Sequence, residues 1–315
     1  MATLGYFLKM RPDPRSLPAA PTTRFAPSPT GPLHIGHVAN AVWTWGVAAA
    51  TGGRVVLRLE DHDRGRCRPE YEAAILGDLE WLGLDPDEVS IRSLHAGRSS
   101  YRQSDNPGRY QEALDRISRT ATVFYCECSR KTIAKTLGDD GFGDSEELRY
   151  PGTCRAKGLG PGPGRGVRVV MPDQEVVWND LLLGRIAQRP ARQCGDLLLK
   201  DPHGNWTYQF AVVVDDLEHE IDLVIRGDDL FASTGRQIMV AGWLGRPVPP
   251  AFLHHRLIRD DSGAKLSKRD GAPARATMRA AGASAEGVLG LAAQLTGLQE
   301  TAAPIGPREL GRLFR

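Results

Sequence analysis

Arg24-Phe-Ala-Pro-Ser-Pro-Thr-Gly-Pro-Leu-His-Ile-Gly-His37 is the stretch on which the reading of this chain turns. Thr22 to Ala26 forms a short β-type run, and Pro27, Pro29, Gly31 and Pro32 then shape a tight loop. His34 and His37 stand at the first turn of a helix whose apolar residues Val38, Ala41, Val42, Trp45 and Ala49 recur at three and four. Gly36 removes side-chain bulk between the two histidines. A helix N-terminus offers backbone N–H groups and partial positive charge, so polyphosphate can lie there while His34 and His37 donate to its oxygens. Taken alone, two histidines three apart also serve as a surface cap or as half of a zinc site.

The pattern continues outward as strand and helix. Val55 to Leu59 reads as a second strand, and Pro69 opens a second helix with Tyr71, Ile75, Leu79 and Leu82 on one face and Gly83 as its stop. Strand, helix, strand, helix predicts an α/β fold with a parallel sheet. Residues 118–170 break the pattern: they hold three of the five cysteines and end in the Gly/Pro run Gly158 to Gly166, and they read as an insertion. The sheet is expected to resume with strands at Tyr208 to Val214 and Ile221 to Arg226, a helix from about Ser233 to Leu244, and the run Ala251 to Ile258. The expected organisation is an N-terminal extension (1–21), two halves of one catalytic domain (22–117 and 171–270) flanking the insertion, and a short helical segment (271–315). The last has a face in Val288, Leu291, Ala292 and Leu295.

Composition narrows the class. With 315 residues, 41% hydrophobic and 25% charged, the chain can bury a sizeable core. No stretch approaches the roughly 20 apolar residues that span a bilayer, and the start lacks the apolar core of a signal peptide, so a cytoplasmic location is expected. A net charge of +2 from 40 basic and 38 acidic residues makes any RNA contact a local matter. Five cysteines without a secretory signal favour reduced thiols or a metal site over disulfides.

Further chemistry lies downstream. Lys265-Leu-Ser-Lys-Arg-Asp270, preceded by Gly263, can bring two lysines onto a triphosphate and neutralise leaving pyrophosphate, Lys268 making the main contact. A dicarboxylic substrate needs guanidinium partners for its side chain and an acidic or polar group for its ammonium. Arg24 and Glu60 at the ends of the first two strands, Tyr208 at the start of a later one and Arg226 closing another fit that need, and ligands of open parallel sheets sit outside the carboxyl ends of strands, which suits three of these four. Each taken singly is an ordinary ion pair or packed tyrosine. Cys126, Cys128 and Cys154 gather three thiols for tetrahedral Zn(II).

Arg24 to His37 resembles the HIGH signature of class I aminoacyl-tRNA synthetases, in the form of the glutamyl branch, and Lys265 to Arg269 resembles the KMSKS loop, with Leu266 and Arg269 departing from its letters. The resemblance implies a Rossmann-like parallel-sheet catalytic domain with catalytic His34, His37, Lys265 and Lys268, and ATP held by His34, Gly36, His37 and Lys268. It implies a glutamate site of Arg24, Glu60, Tyr208 and Arg226, with loop contacts from Phe25, Ala26, Pro27 and Ser28 and the ammonium held by Glu60. Cys-x-Cys followed by Tyr150-Pro-Gly-Thr-Cys154 is similar to the zinc site of glutamyl-queuosine tRNA(Asp) synthetases, and Tyr150 enters as fourth ligand only through that similarity. Residues 271–315 cannot supply the anticodon-binding region of a complete glutamyl-tRNA synthetase. The implied partners are ATP with Mg(II), L-glutamate and tRNA(Asp) carrying queuosine, one structural Zn(II) is implied, and no general base is assigned to the transfer step. Two other readings stand beside this: a compact enzyme charging the 3′ end of tRNA(Glu), and a synthetase-like binding module without catalysis.

Overall fold

A computed structural model describes residues 11–138, 147–258 and 282–315. The expected loop with Lys265 and Lys268 lies outside the described residues. Strand β1 (Thr22–Phe25) pairs in parallel with β2 (Arg54–Leu57), and α1 (Ile35–Thr51) crosses between them. The Asp222 N–H donates to the Thr22 carbonyl at 3.0 Å, seating β1 beside β8 (Leu223–Gly227). Strand β8 pairs in parallel with β9 (Ala251–His255), which pairs in parallel with β5 (Val176–Asp180), and β6 (Gly184–Gln188) closes an antiparallel hairpin on β5.

Alternate residues of these strands feed two cores, as a sheet covered on both faces requires. Val55, Leu57, Leu223, Ile225 and Leu253 face one core with α1, α2 (Pro69–Leu82) and α3 (Ile91–Ala96). Val56, Val224 and Phe252 face the other, with α4 (Pro107–Thr120) and two further helices named below. Phe314, the last residue of a 3-10 stretch (Pro307–Phe314), enters the first core beside Trp43 at 5.1 Å between ring centroids. Gly46 makes room for it, since a Cβ there would stand 2.3 Å from the Phe314 ring.

The insertion forms a smaller antiparallel sheet. β3 (Val123–Cys126) pairs with β4 (Gly166–Val169), and β4 pairs with β7 (Leu197–Lys200), so this unit reaches past the expected limit at 170, and α5 (Arg130–Leu137) lies within it. Gly166 opens a strand rather than closing the irregular Gly/Pro run. A single turn, α6 (Pro190–Gln193), precedes β7.

The expected strand from Tyr208 to Val214 is a helix. α7 (Tyr208–Glu218) is buried at every position from Phe210 to Asp216, between α4 and α8 (Thr234–Trp243) in the second core. A helix covered almost all round shows no 3.6-residue stripe, and its run of valines therefore reads like a buried strand. In α9 (Ala285–Leu295) the buried face is Val288, Leu289, Ala292 and Ala293; Leu291 is half-buried and Leu295 exposed, one position off the expected stripe.

Candidate active site

His34 is the N-cap of α1, in extended conformation. Its Nδ1 accepts from the Gly36 N–H at 3.1 Å, while the Nδ1 of His37 accepts from the His34 N–H at 3.2 Å, a reciprocal cap made by two imidazoles 3.9 Å apart. With both Nδ1 atoms accepting, each neutral ring carries its proton on Nε2, which makes Nε2 a donor. Gly36 permits this fold-back, because a Cβ would lie 2.9 Å from His34 Cε1. The result is a helix start of the kind that can receive an anion, with two imidazoles beside it. One turn on, Asn40 Oδ1 lies 3.0 Å from Nε2 of His255, whose Nδ1 lies 3.0 Å from the Arg256 carbonyl. Burial pushes His255 down to about 4, so it is neutral at physiological pH.

Arg24 lies in β1, and Glu60 lies three residues beyond β2 rather than at its end, its N–H donating to the Pro27 carbonyl at 3.1 Å. A buried ion network joins them. Arg24 Nε donates to Asp216 Oδ1 at 3.1 Å, Arg58 Nη1 donates to the same oxygen at 2.8 Å, and Arg58 Nη2 reaches Glu60 Oε1 at 2.9 Å. Arg58 is fully buried; burial opposes its charge, but Asp216, Glu60 and Asp215 together outweigh that and raise its pKa. Asp216 is pushed up by burial and drawn down further by Arg24 and Arg58, with a net lowering. Asp215 accepts from Arg109 at 2.8 Å, from Tyr110 and from Gln103 at 2.7 Å, and Gln103 in turn meets His62 at 2.7 Å. Tyr208 is half-buried at the start of α7, and burial, then Glu60, raises its phenol.

Arg226 is arranged differently. It is 4% exposed, and its donors go to neutral groups: Nε to His254 Nε2 at 3.0 Å, Nη1 to Gln237 Oε1 at 2.7 Å, Nη2 to Thr234 Oγ1 at 2.8 Å. Burial is the main cause that lowers its pKa, and Arg24 adds to it against the opposing effects of Tyr208 and Asp216. Among the described residues no carboxylate pairs with it. A buried guanidinium without a counter-ion is costly, and a carboxylate ligand relieves that cost.

Arg24 and Glu60 thus belong to one network, and Tyr208 lies beside Glu60 and Arg226 in its electrostatics. Sequence reasoning missed Arg58, Asp215, Asp216, Asp180 and His254; the available signal was the Asp215-Asp216 pair closing an apolar run. Asp61, adjacent to Glu60, has both oxygens engaged, by Ser104 N–H at 2.7 Å and Arg64 at 3.0 Å.

In the smaller sheet, the sulfurs of Cys126, Cys128 and Cys154 lie within 4.8 Å of one another, and all are free thiols. Cys128 Sγ is 3.5 Å from Cys154 Sγ, and the Tyr150 hydroxyl is 3.4 Å from Cys126 Sγ. Ligand sulfurs of tetrahedral Zn(II) stand about 3.8 Å apart, given Zn–S bonds of about 2.3 Å, so three thiolates with an oxygen beside them fit this ion. Cys67 is half-buried and Cys194 buried, both free thiols outside this trio. A cleft of about 360 Å³ runs between this unit and the start of α7, lined by Tyr150, Arg168, Thr207, Tyr208 and Gln209 among others.

Residues 21–295 match the family described as tRNA synthetases class I (E and Q), catalytic domain. The fold and the histidine helix start are those of a class I aminoacyl-tRNA synthetase catalytic domain, a ligase. A glutamyl-Q tRNA(Asp) synthetase of Symbiobacterium thermophilum is 40% identical over 303 residues, 92% of this chain and 91% of the relative, and one of Rhodobacter capsulatus is 39% identical over 284 residues, 83% of this chain and 96% of the relative. The chain belongs to the glutamyl-Q tRNA(Asp) synthetase family. A glutamate–tRNA ligase of Nitratidesulfovibrio vulgaris is also 40% identical, across 80% of this chain and 52% of that ligase. The crystal structure of a glutamate tRNA ligase from Elizabethkingia meningosepticum, in complex with its amino acid, superposes with a TM-score of 0.76 at 28% identity, covering 93% of this chain and 64% of that one. Among the described residues no helix is long and apolar enough to cross a membrane.

Proposed function

We propose that this chain activates L-glutamate with Mg-ATP as glutamyl-adenylate and transfers the glutamyl group to the queuosine base at the wobble position of tRNA(Asp), in the cytoplasm. The observation that carries the amino-acid half is Arg226, buried and, among the described residues, hydrogen-bonded only to neutral groups, while the nearby guanidiniums of Arg24 and Arg58 are already paired with Asp216. A γ-carboxylate supplies the missing counter-ion, and glutamine would not. Glu60, steadied by Arg58, accepts from the substrate ammonium, and Tyr208 closes the pocket between them, with Phe25, Ala26, Pro27 and Ser28 as its loop wall.

In the first step the α-carboxylate attacks the α-phosphorus in line and pyrophosphate leaves with Mg(II). The Nε2 donors of His34 and His37 meet the charge that builds on the phosphate oxygens, and Lys265 and Lys268 receive the pyrophosphate. In the second step a queuosine hydroxyl attacks the adenylate carbonyl and AMP departs. Cys126, Cys128, Tyr150 and Cys154 would hold a structural Zn(II), which when bound fixes the ends of β3 and the following loop to one another.

The coverage supports the queuosine acceptor: the chain aligns with at least nine-tenths of two glutamyl-Q relatives but about half of the glutamate–tRNA ligase. The test is incorporation of radiolabelled glutamate, with ATP, into purified tRNA(Asp) with and without queuosine, beside tRNA(Glu). Labelling of queuosine-containing tRNA(Asp) alone is expected. Labelling of tRNA(Glu) would instead make this a compact charging enzyme, and no adenylate at all would make it a binding module.

A further inference from the structure

His254 closes β9 against β8, its imidazole stacked near Phe252 and edge-on to Phe231. It is fully buried between a carboxylate and a guanidinium. Its Nδ1 lies 2.6 Å from Asp180 Oδ2, and its Nε2 lies 3.0 Å from Arg226 Nε and 3.1 Å from Thr234 Oγ1. The proton positions follow from what each partner can do. Arg226 Nε only donates, so His254 Nε2 accepts; Asp180 only accepts, so Nδ1 carries the proton. Thr234 Oγ1 accepts from Arg226 Nη2 at 2.8 Å and lies 3.1 Å from Nε2. Burial holds the ring neutral, with Arg226 acting in the same direction against Asp180.

We propose that Asp180 and His254 are positioning residues for Arg226: Asp180 fixes the Nδ1–H tautomer of His254, whose Nε2 then orients the guanidinium that receives the substrate carboxylate. The proposal rests on the reading of Arg226 given above. Asp180 is suited to the task, because its other oxygen is occupied by the N–H groups of Leu182 and Leu183, each at 3.0 Å, which hold the carboxylate in one orientation. Among the described residues the hydrogen-bond partners of Arg226 are neutral, so the arrangement orients the guanidinium without competing for its charge.

Asp180→Asn isolates the tautomer. The amide oxygen still accepts from Leu182 and Leu183, but the NH2 now faces Nδ1, the imidazole proton moves to Nε2, and Nε2 meets Arg226 Nε donor to donor. Glutamate-dependent ATP–pyrophosphate exchange is expected to show a KM for glutamate raised about tenfold or more, with the KM for ATP changed by less than about twofold. In ¹⁵N–¹H NMR of the imidazoles, the His254 proton is expected on Nδ1 in the parent protein and on Nε2 in the variant. A second pair covers the case in which Asp180→Asn unfolds: His254→Leu removes the acceptor, and His254→Gln restores a carbonyl near the place of Nε2 and recovers part of the loss. A parent His254 protonated on Nε2, an unchanged glutamate KM in Asp180→Asn, or equal effects of Leu and Gln would overturn the relay. Arg226→Ala separates the two claims: lost glutamate activation there beside an unaffected Asp180→Asn overturns the relay alone, whereas normal activation in Arg226→Ala overturns the carboxylate reading and the relay with it.

Discussion

Arg24 Nε and the carboxylate of Asp216 stand 3.1 Å apart although 192 positions separate them in the chain. That contact ties β1, where the motif begins, to α7, where Tyr208 sits, and through Arg58 it extends to Glu60. One carboxylate therefore orients Arg24 directly and, through Arg58, the residue assigned to the substrate ammonium.

Asp216→Asn leaves two guanidiniums sharing one neutral acceptor. Breaking a buried ion pair from one side costs about 3–5 kcal/mol. The variant is expected to lose roughly that in urea-unfolding free energy. Its KM for glutamate should rise while that for ATP holds, and Asp216→Glu should recover part of the binding. An unchanged glutamate KM in a folded Asp216→Asn would remove Asp216 from the site.

Gly36→Ala places a methyl 2.9 Å from His34 Cε1 and pushes the imidazole off its cap. Loss of an N-cap costs about 1 kcal/mol, and displacement of one phosphate donor costs about 10²-fold or less in kcat. The expected signature is a lowered kcat for adenylate formation at nearly constant glutamate KM, read by pyrophosphate exchange. Equal losses in kcat and glutamate affinity would contradict the separation of the two half-sites.

His255 and His219 both titrate at about 4 in the folded chain, burial being the first cause in each. Unfolded histidines titrate at about 6.5, so between these values the unfolded chain binds more protons than the folded one. Stability is therefore present in full above about pH 6.5 and falls as the pH drops, with close to two protons taken up on unfolding once the pH is near 5. Urea midpoints measured from about pH 7 to 5 should follow that slope, and His255→Gln should flatten it by about one proton.

Zinc bound by Cys126, Cys128, Tyr150 and Cys154 displaces thiol protons, so its affinity is expected to fall as pH is lowered from about 8 to 6. Purified protein should carry one zinc per chain by atomic emission, and Cys154→Ser should release it. Chelation is expected to expose the segments around Cys126–Cys128 and Tyr150–Cys154 to protease while the parallel sheet stays folded, since the first of its two cores contains no residue of the insertion. Protection of those segments after metal removal would contradict the assignment.

The β1–loop–α1 start, the β2–α2 continuation and the ends of the main helices were legible because loop chemistry and apolar periodicity are local properties. The Cys126, Cys128 and Cys154 set was legible as well, since thiols gather by spacing, but Tyr150 carried no signal apart from family likeness. Tyr208–Val214 was misread as a strand because complete burial erases periodicity. Asp216, Arg58, Asp180 and His254 stayed hidden for a different reason: a buried ion pair or a tautomer is fixed by partners far off in the chain, and no window of sequence contains both.

Thr22 and Asp222, hydrogen-bonded neighbours 200 positions apart, carry a consequence for synthesis. At ribosomal speeds of about 5–20 residues per second, β1 emerges on the order of 10–40 seconds before β8 can pair with it. For that interval the motif-bearing strand has an open edge, and α1 lacks part of the apolar layer that covers it. The nascent first half is therefore expected to gain from any partner that shields its exposed strand edge until the second half arrives.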